Sequence, residues 1–161
     1  MSVSQAESLA LRIGSLPQDQ RAQVLRQAIK TDREAYSLEY DWRFWARPEQ
    51  IAPPGDWRYW LILTGRGWGK TRTGAEWVRE EVRNSQYVNL IGATADDARD
   101  IMIEGESGIL AVCPRGERPE YQISKRRLEW PNGARSLIFT ADEPERLRGK
   151  PSSLQDGPQL R

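Results

Sequence analysis

The chain has 161 residues, with 24 Lys plus Arg against 23 Asp plus Glu and a formal net charge of +1. That length suits one domain with its own core, and the even balance excludes a polycationic coat or an acidic tail, so any basic site has to be local. The absence of histidine and the single Cys113 exclude an internal disulfide and argue against zinc. Between Val112 and Pro114 that thiol reads as a small buried hydrophobe in a reducing compartment. The start, MSVSQAESLALRIG, lacks the basic opening and unbroken apolar core of a signal peptide, and no run approaches the ~18 apolar residues needed to span a bilayer. A cytoplasmic protein without a membrane segment is expected.

Residues 4–13 and 17–30 carry apolar side chains at helical spacing (Leu9, Ile13; Val24, Leu25, Ala28, Ile29), with Pro17 suited to a first turn. Residues 1–40 are therefore expected to form a helical arm built on a helical hairpin. Next comes YDWRFWARPEQIAPPGDWRYW, in which Pro48, Pro53, Pro54 and Gly55 oppose regular helix and four of the seven tryptophans, Trp42, Trp45, Trp57 and Trp60, are concentrated. A small aromatic cluster is the expected arrangement, and a stacking platform for bases the alternative.

The apolar run Trp60-Leu61-Ile62-Leu63 reads as a strand leading into TGRGWGKT, Thr64 to Thr71, and then into a helix. A glycine loop between strand and helix turns backbone N–H groups toward phosphates, Lys meets the β and γ charges, and a hydroxyl serves Mg²⁺. Gly69, Lys70 and Thr71 meet these needs, whereas the first position of GxxxxGK[ST] holds Thr64 and extra glycines stand at 65 and 67. A cation at a helix start is unfavourable by a few tenths of a kcal/mol or more unless an anion sits there. Arg66 lies within the loop, where a guanidinium could reach a γ-phosphate; an exposed loop arginine is the alternative. Trp68 is expected to cover the loop against the protein rather than stack on a base.

In the following helix Thr71, Gly74, Ala75, Val78 and Val82 are expected on the buried face, with Arg72, Glu76, Arg79, Glu80 and Arg83 elsewhere. Tyr87 to Ile91 reads as a second strand, and Thr94-Ala95-Asp96-Asp97 as a capped helix start. Leu128–Trp130 and Leu137–Phe139 flank Pro131-Asn132-Gly133-Ala134, a hairpin signal. Ser124-Lys125-Arg126-Arg127 and Arg146-Leu147-Arg148-Gly149-Lys150 are local basic clusters, either solvated or in contact with DNA phosphates. Beyond Leu147 only Leu154 and Leu160 are sizeable apolar residues, and residues 150–161 are expected to be a disordered tail.

Three stretches together resemble the large terminase subunits of tailed bacteriophages and gene transfer agents, which pump DNA into procapsids. They are Asp41 to Glu80, Ile91 to Leu110 and Phe139 to Gly149, in the same order as in that family. The resemblance implies an α/β fold with a P-loop NTPase (RecA/ASCE-like) parallel-sheet core over residues 41–149, incomplete, with the helical arm and hairpin attached. It implies ATP and Mg²⁺ as ligands, Gly65, Gly67 and Gly69 shaping the loop, and Lys70 and Thr71 at the β/γ-phosphates and metal. Arg66 would correspond to the loop arginine that senses the γ-phosphate, acting with Lys70 in catalysis, and Trp68 would belong to the same loop. Gln50 would correspond to a glutamine reading the adenine edge. Double-stranded DNA, the small terminase subunit and the portal protein are the partners implied, with a homo-oligomeric ring for a full-length subunit. The family also calls for an apolar strand ending in Asp-Glu soon after Gly149, and for a nuclease domain. Neither has a counterpart here; Asp142-Glu143 is the one adjacent acid pair after an apolar run. The expectation is an ATP-binding portion from a truncated or frame-disrupted gene product, with a non-catalytic interaction module as the alternative.

Overall fold

The computed structural model describes residues 9–147. The expected tail at 150–161, the first residues of the N-terminal helix and the end of the second basic cluster lie outside them. The chain falls into two compact units that divide between Gly65 and Arg66.

The first unit is helical. Helices α1 (Leu9–Gly14) and α2 (Gln18–Ala28) form the expected pair, and Arg21 closes the turn between them by donating to the carbonyls of Gly14 at 2.7 Å and Leu16 at 3.1 Å. Helix α3 (Asp32–Glu39) starts at a capping box: Glu34 N–H donates to Thr31 Oγ1 and Thr31 N–H to the Glu34 carboxylate. A short α4 (Trp42–Trp45), capped by Asp41, and a 3₁₀ turn (Pro48–Gln50) follow. The aromatics make local contacts. Trp57 and Trp60 meet edge-on with centroids 6.0 Å apart, and Phe44 and Trp45 at 5.0 Å. The indole N–H groups of Trp45 and Trp57 donate to the carbonyls of Leu38 and Pro53. Edge-on rings tied to backbone fit a packed cluster better than a row of open stacking faces.

Residues 60–63, expected to be a strand, form none. Leu61 is 76 % and Leu63 81 % exposed. A strand exists through the neighbour that takes its hydrogen bonds, and an apolar run without one stays irregular.

The second unit is a mixed α/β fold. Helix α5 (Lys70–Glu81) leads to β1 (Leu90–Gly92), a π-helix (Asp97–Ile103), a short α6 (Ile109–Val112), and then β2 (Glu120–Gln122), β3 (Arg127–Glu129) and β4 (Arg135–Thr140). The sheet order is β1-β4-β3-β2, with β1 parallel to β4 and the other pairs antiparallel. The expected parallel-sheet core is thus represented by one parallel pair in a mixed sheet. Tyr87 bridges Arg135 ahead of β1, so the second strand begins where the sequence placed it and frays in the middle.

The hairpin signal at Asn132-Gly133 is realised by β3 and β4. Gly133 N–H donates to Trp130 O and Trp130 N–H to Ala134 O, both at 2.9 Å. Gly133 is left-handed at φ 88° while Asn132 is not, because Pro131 holds the preceding φ negative. The result is an ordinary turn closed by a glycine bulge. Trp130 is buried, with its indole N–H on Ser136 Oγ at 2.9 Å.

Ala75 and Val78 of α5 and its C-cap Val82 pack with Leu90, Ile103, Ile109, Val112, Leu128 and Cys113 in the core. Two positions on α5 depart from expectation. Gly74 is exposed, and Glu76, expected on the outer face, is buried at 2 % exposure. Two arginines on the same helix accompany it, which is what allows a carboxylate to be there.

Candidate functional site

The glycine loop ends in two residues whose backbone requires glycine. Gly67 has φ 75° and Gly69 φ 94°, and nothing lies within 4 Å of a Cβ built at Gly67, so there conformation rather than space sets the requirement. Gly65 is neither left-handed nor crowded. Gly69 is the N-cap of α5 and offers no side-chain bond to the orphan N–H groups of the first turn. That turn contains no acid and carries Lys70 and Arg72. In general, a helix start without an N-cap side chain and with added cations is more favourable when an anion is present.

It opens on a cavity of about 500 Å³ lined by Gly67 through Arg72 on one side and by Asp100, Ile101, Gly105, Glu106 and Ser107 on the other. The second wall was not read from the sequence. It is built by the π-helix, where Glu104 N–H reaches back five residues to Arg99 O at 2.9 Å. Thr94 caps this helix reciprocally with Asp97, as expected: Asp97 N–H donates to Thr94 Oγ1 at 3.1 Å, and the Thr94 hydroxyl to the Asp97 carboxylate at 2.9 Å. A Cβ at Gly105 would stand 2.8 Å from the carbonyl oxygens of Asp100 and Ile101, and one at Gly108 2.7 Å from Ile103 O. The G-x-x-G spacing of Gly105 and Gly108 was the available signal for that tight wall. Hydrogen bonding from Arg99, at 2.6 Å, holds the Asp100 carboxyl below the usual range, so Asp100 stays ionised beside the cavity.

Arg66 is exposed and is not among the residues lining the cavity. Gly65 and Gln50 belong to the first unit, where Gln50 is buried and its side-chain oxygen accepts from Arg47 N–H at 3.1 Å. Asp142 and Glu143 do not line the cavity either; Glu143 accepts from Arg126 at 3.1 Å. In the first basic cluster, Arg126 is thereby paired and Arg127 is paired with Glu129 and bonded to Gln122, which leaves that segment largely neutralised by its own chain.

Behind the cavity runs a chain of charges. Arg72 donates Nε and Nη2 to Glu76 Oε1 at 2.9 and 2.7 Å, and Arg79 Nη1 donates to Glu76 Oε2 at 2.8 Å. Arg79 and Arg83 then converge on Glu117 at 3.0 Å. Burial pushes the Glu76 carboxyl up against the pull of Arg72 and Arg79. Glu117 is also pushed up by burial, but hydrogen bonds from Arg83 and Arg79 outweigh that and hold it low.

Residues 61–154 match the family described as terminase large subunit, T4likevirus-type, N-terminal. That span takes in the loop, α5, both cavity walls and the whole sheet. The chain belongs to the terminase large subunit family. No curated protein and no solved structure matches it. Membership of the terminase large subunits associates the chain with bacteriophage DNA packaging, with DNA and the packaging complex as partners in general terms. Among the described residues no helix is long and apolar enough to cross a membrane.

Proposed function

We propose that this chain is the ATP-binding N-terminal portion of a phage or prophage terminase large subunit, whose cavity at the start of α5 holds the polyphosphate of ATP during DNA packaging. The observation that carries this reading is the cavity itself. An uncapped helix start bearing Lys70 and Arg72 forms one wall, beside two glycines in a conformation that other residues rarely adopt. Lys70 meets the phosphate charge, and the backbone N–H groups of the first turn, which follow a glycine N-cap with no side chain to offer them, supply donors.

The donor set also fits Mg²⁺, which binds through few protein oxygens and keeps phosphate oxygens and waters as its other ligands. Thr71 would hold it through its hydroxyl, and the ion would neutralise phosphate charge. Glu106 favours a metal-bound nucleotide over a bare anion, because a carboxylate on the far wall, beside an Asp100 already paired with Arg99, repels unscreened phosphate.

Titration with a fluorescent ATP analogue tests the reading. Saturable binding that needs Mg²⁺ and disappears in Lys70→Ala is expected, and a wild-type chain that binds nothing would end it. A second reading, an interaction module that docks on other packaging proteins, draws on the exposed apolar alternation of Tyr59, Leu61 and Leu63 in the first unit. It predicts partner capture that is indifferent to nucleotide.

A further inference from the structure

We infer that the cavity hydrolyses the nucleotide it holds, with Glu106 as the catalytic base that takes a proton from the water attacking the terminal phosphate. The inference rests on the proposal that this cavity takes a polyphosphate, and it adds an activity and a residue that the glycine loop does not supply.

Glu106 stands in a turn whose backbone is fixed. Gly108 N–H donates to Gly105 O at 2.8 Å, which closes the turn around Glu106 and Ser107. Both ends press on the π-helix, since a Cβ at Gly105 would meet the carbonyl oxygens of Asp100 and Ile101, and one at Gly108 that of Ile103. Gly108 is also the N-cap of α6, whose Ile109 and Val112 belong to the core. The turn is therefore held to the wall and to the core at once. It places Glu106 and Ser107 in the lining of the same cavity as Lys70 and Thr71.

Hydrolysis of a phosphoanhydride is served by a carboxylate that lies within the site and is not already neutralised. Asp100 fails the second condition: Arg99 donates Nε and Nη2 to its two oxygens, at 2.6 and 3.2 Å, and holds its carboxyl low, which makes it a poor proton acceptor. Asp142 and Glu143 fail the first, because neither lines the cavity. Glu106 meets both. It lines the cavity and, among the described residues, makes no hydrogen bond or ion pair. A carboxylate in that position weakens ground-state binding of phosphate, a disadvantage in a site that only binds. It becomes an advantage where a proton has to be taken up as the transition state forms. In the step, the water oxygen bonds to the γ-phosphorus while the bond from that phosphorus to the β,γ-bridging oxygen breaks. The water proton passes to Glu106 and then to solvent, and ADP and inorganic phosphate leave.

The experiment measures phosphate release from Mg·ATP by the full chain, and in parallel the affinity for a non-hydrolysable ATP analogue with and without Mg²⁺. Wild type is expected to release phosphate above the background set by Lys70→Ala. Glu106→Gln is expected to lower that release about a hundredfold or more, as loss of a general base does, while binding the Mg²⁺-loaded analogue as wild type does. Its affinity for the metal-free analogue should rise several-fold, because the charge facing bare phosphate is gone; a glutamate with a merely structural role would not produce that rise. Glu106 is exposed, and Glu106→Ala, with melting curves on both variants, keeps the test open if one of them fails to fold. A wild-type chain that binds the analogue but releases no phosphate above background would overturn the inference. So would wild-type turnover in Glu106→Gln, or an unchanged metal-free affinity. A wild-type chain that does not bind the analogue would instead remove the nucleotide site on which the inference rests.

Discussion

The Asn132 side-chain amide donates to the carbonyl of Val82 at 2.7 Å, across 50 residues of sequence, and ties the β3–β4 turn to the C-terminal end of α5. The same side chain accepts Ala134 N–H through Oδ1 at 3.1 Å. One residue therefore satisfies an orphan helix carbonyl and shapes the turn. Asn132→Asp keeps the acceptor and loses the donor, whereas Asn132→Ala loses both. Chemical denaturation is expected to rank them wild type, Asp, Ala, with Ala about 1–3 kcal/mol below wild type. Because this contact lies at the far end of α5 from Lys70, nucleotide affinity should not change in either. Equal stability of all three chains would show that the turn does not depend on the helix.

Glu76 supplies a pH signature. Burial raises its carboxyl above the ordinary value of 4.5 despite Arg72 and Arg79. A carboxyl whose pKa is higher in the folded chain takes up its proton there first. The fold therefore gains relative to the unfolded chain as pH falls through the raised value toward 4.5, and gains nothing more below it. Glu76→Gln cannot take up that proton. The difference in unfolding free energy between wild type and Glu76→Gln should move in favour of wild type on acidification from neutral pH to about 4.5. Asp100 and Glu117, both held low, keep their contribution through most of that range and lose it only as pH falls toward and below their ordinary values. A difference that moves the other way would mean that the arginines outweigh burial.

What the sequence disclosed about this fold follows from how local each feature is. The glycine loop, the helix after it, the Thr94 cap and the Pro131-Asn132-Gly133 turn depend on neighbours within a few residues, and all were legible. Helix α3 was as local, announced by Thr31-Asp32-Arg33-Glu34; it lies within the expected helical arm of residues 1–40, in which only the two earlier helices were read individually. Residues 60–63 carry strand-forming side chains without a strand, because pairing is a long-range property that no window of sequence contains. Glu76 was assigned to the outer face by its charge; only the placement of Arg72 and Arg79 makes its burial possible. Half the cavity was visible as the phosphate-loop pattern. The other half, from Asp100 to Ser107, depends on a π-helix whose period differs from the one sought, and on the close approach of Gly105 to Asp100 and Ile101.

The two glycines at 65 and 69 separate conformation from mere smallness. Gly69→Ala places a Cβ on a residue at φ 94° and is expected to cost about 1 kcal/mol or more. It should also shift the first turn of α5 and weaken nucleotide binding. Gly65→Ala meets no atom within 4 Å and needs no left-handed backbone, so its melting temperature should match or slightly exceed that of wild type. A loss on Gly65→Ala as large as that on Gly69→Ala would contradict this assignment.

Cys113 reports on the core. It is fully buried among Ile109, Val112 and Leu128, and burial pushes its thiol up to about 12. The thiolate is the reactive form, so at pH 8 an aromatic disulfide reagent should leave the native chain unmodified and titrate one thiol per chain after denaturation. The rate in dilute denaturant then measures opening of the second unit. Immediate stoichiometric reaction of the native chain would show that this core is not closed.

Thr71 carries the metal assignment, and its test has to distinguish loss of Mg²⁺ from loss of the nucleotide. Thr71→Ala removes a hydroxyl next to Lys70 without altering charge, and alanine is at least as good a helix former in the first turn. Bound Mg·ATP analogue at a hundred times its dissociation constant should stabilise wild type by about 2.7 kcal/mol through mass action. Without Mg²⁺ the stabilisation should be smaller, because Glu106, beside the Arg99-paired Asp100, then faces unscreened phosphate. In Thr71→Ala the melting shift with Mg²⁺ should fall toward the value without it, while the metal-free shift stays that of wild type. A variant that keeps the full Mg²⁺-dependent shift would assign the ion to the carboxylate wall, and one that loses both shifts would make Thr71 a phosphate contact.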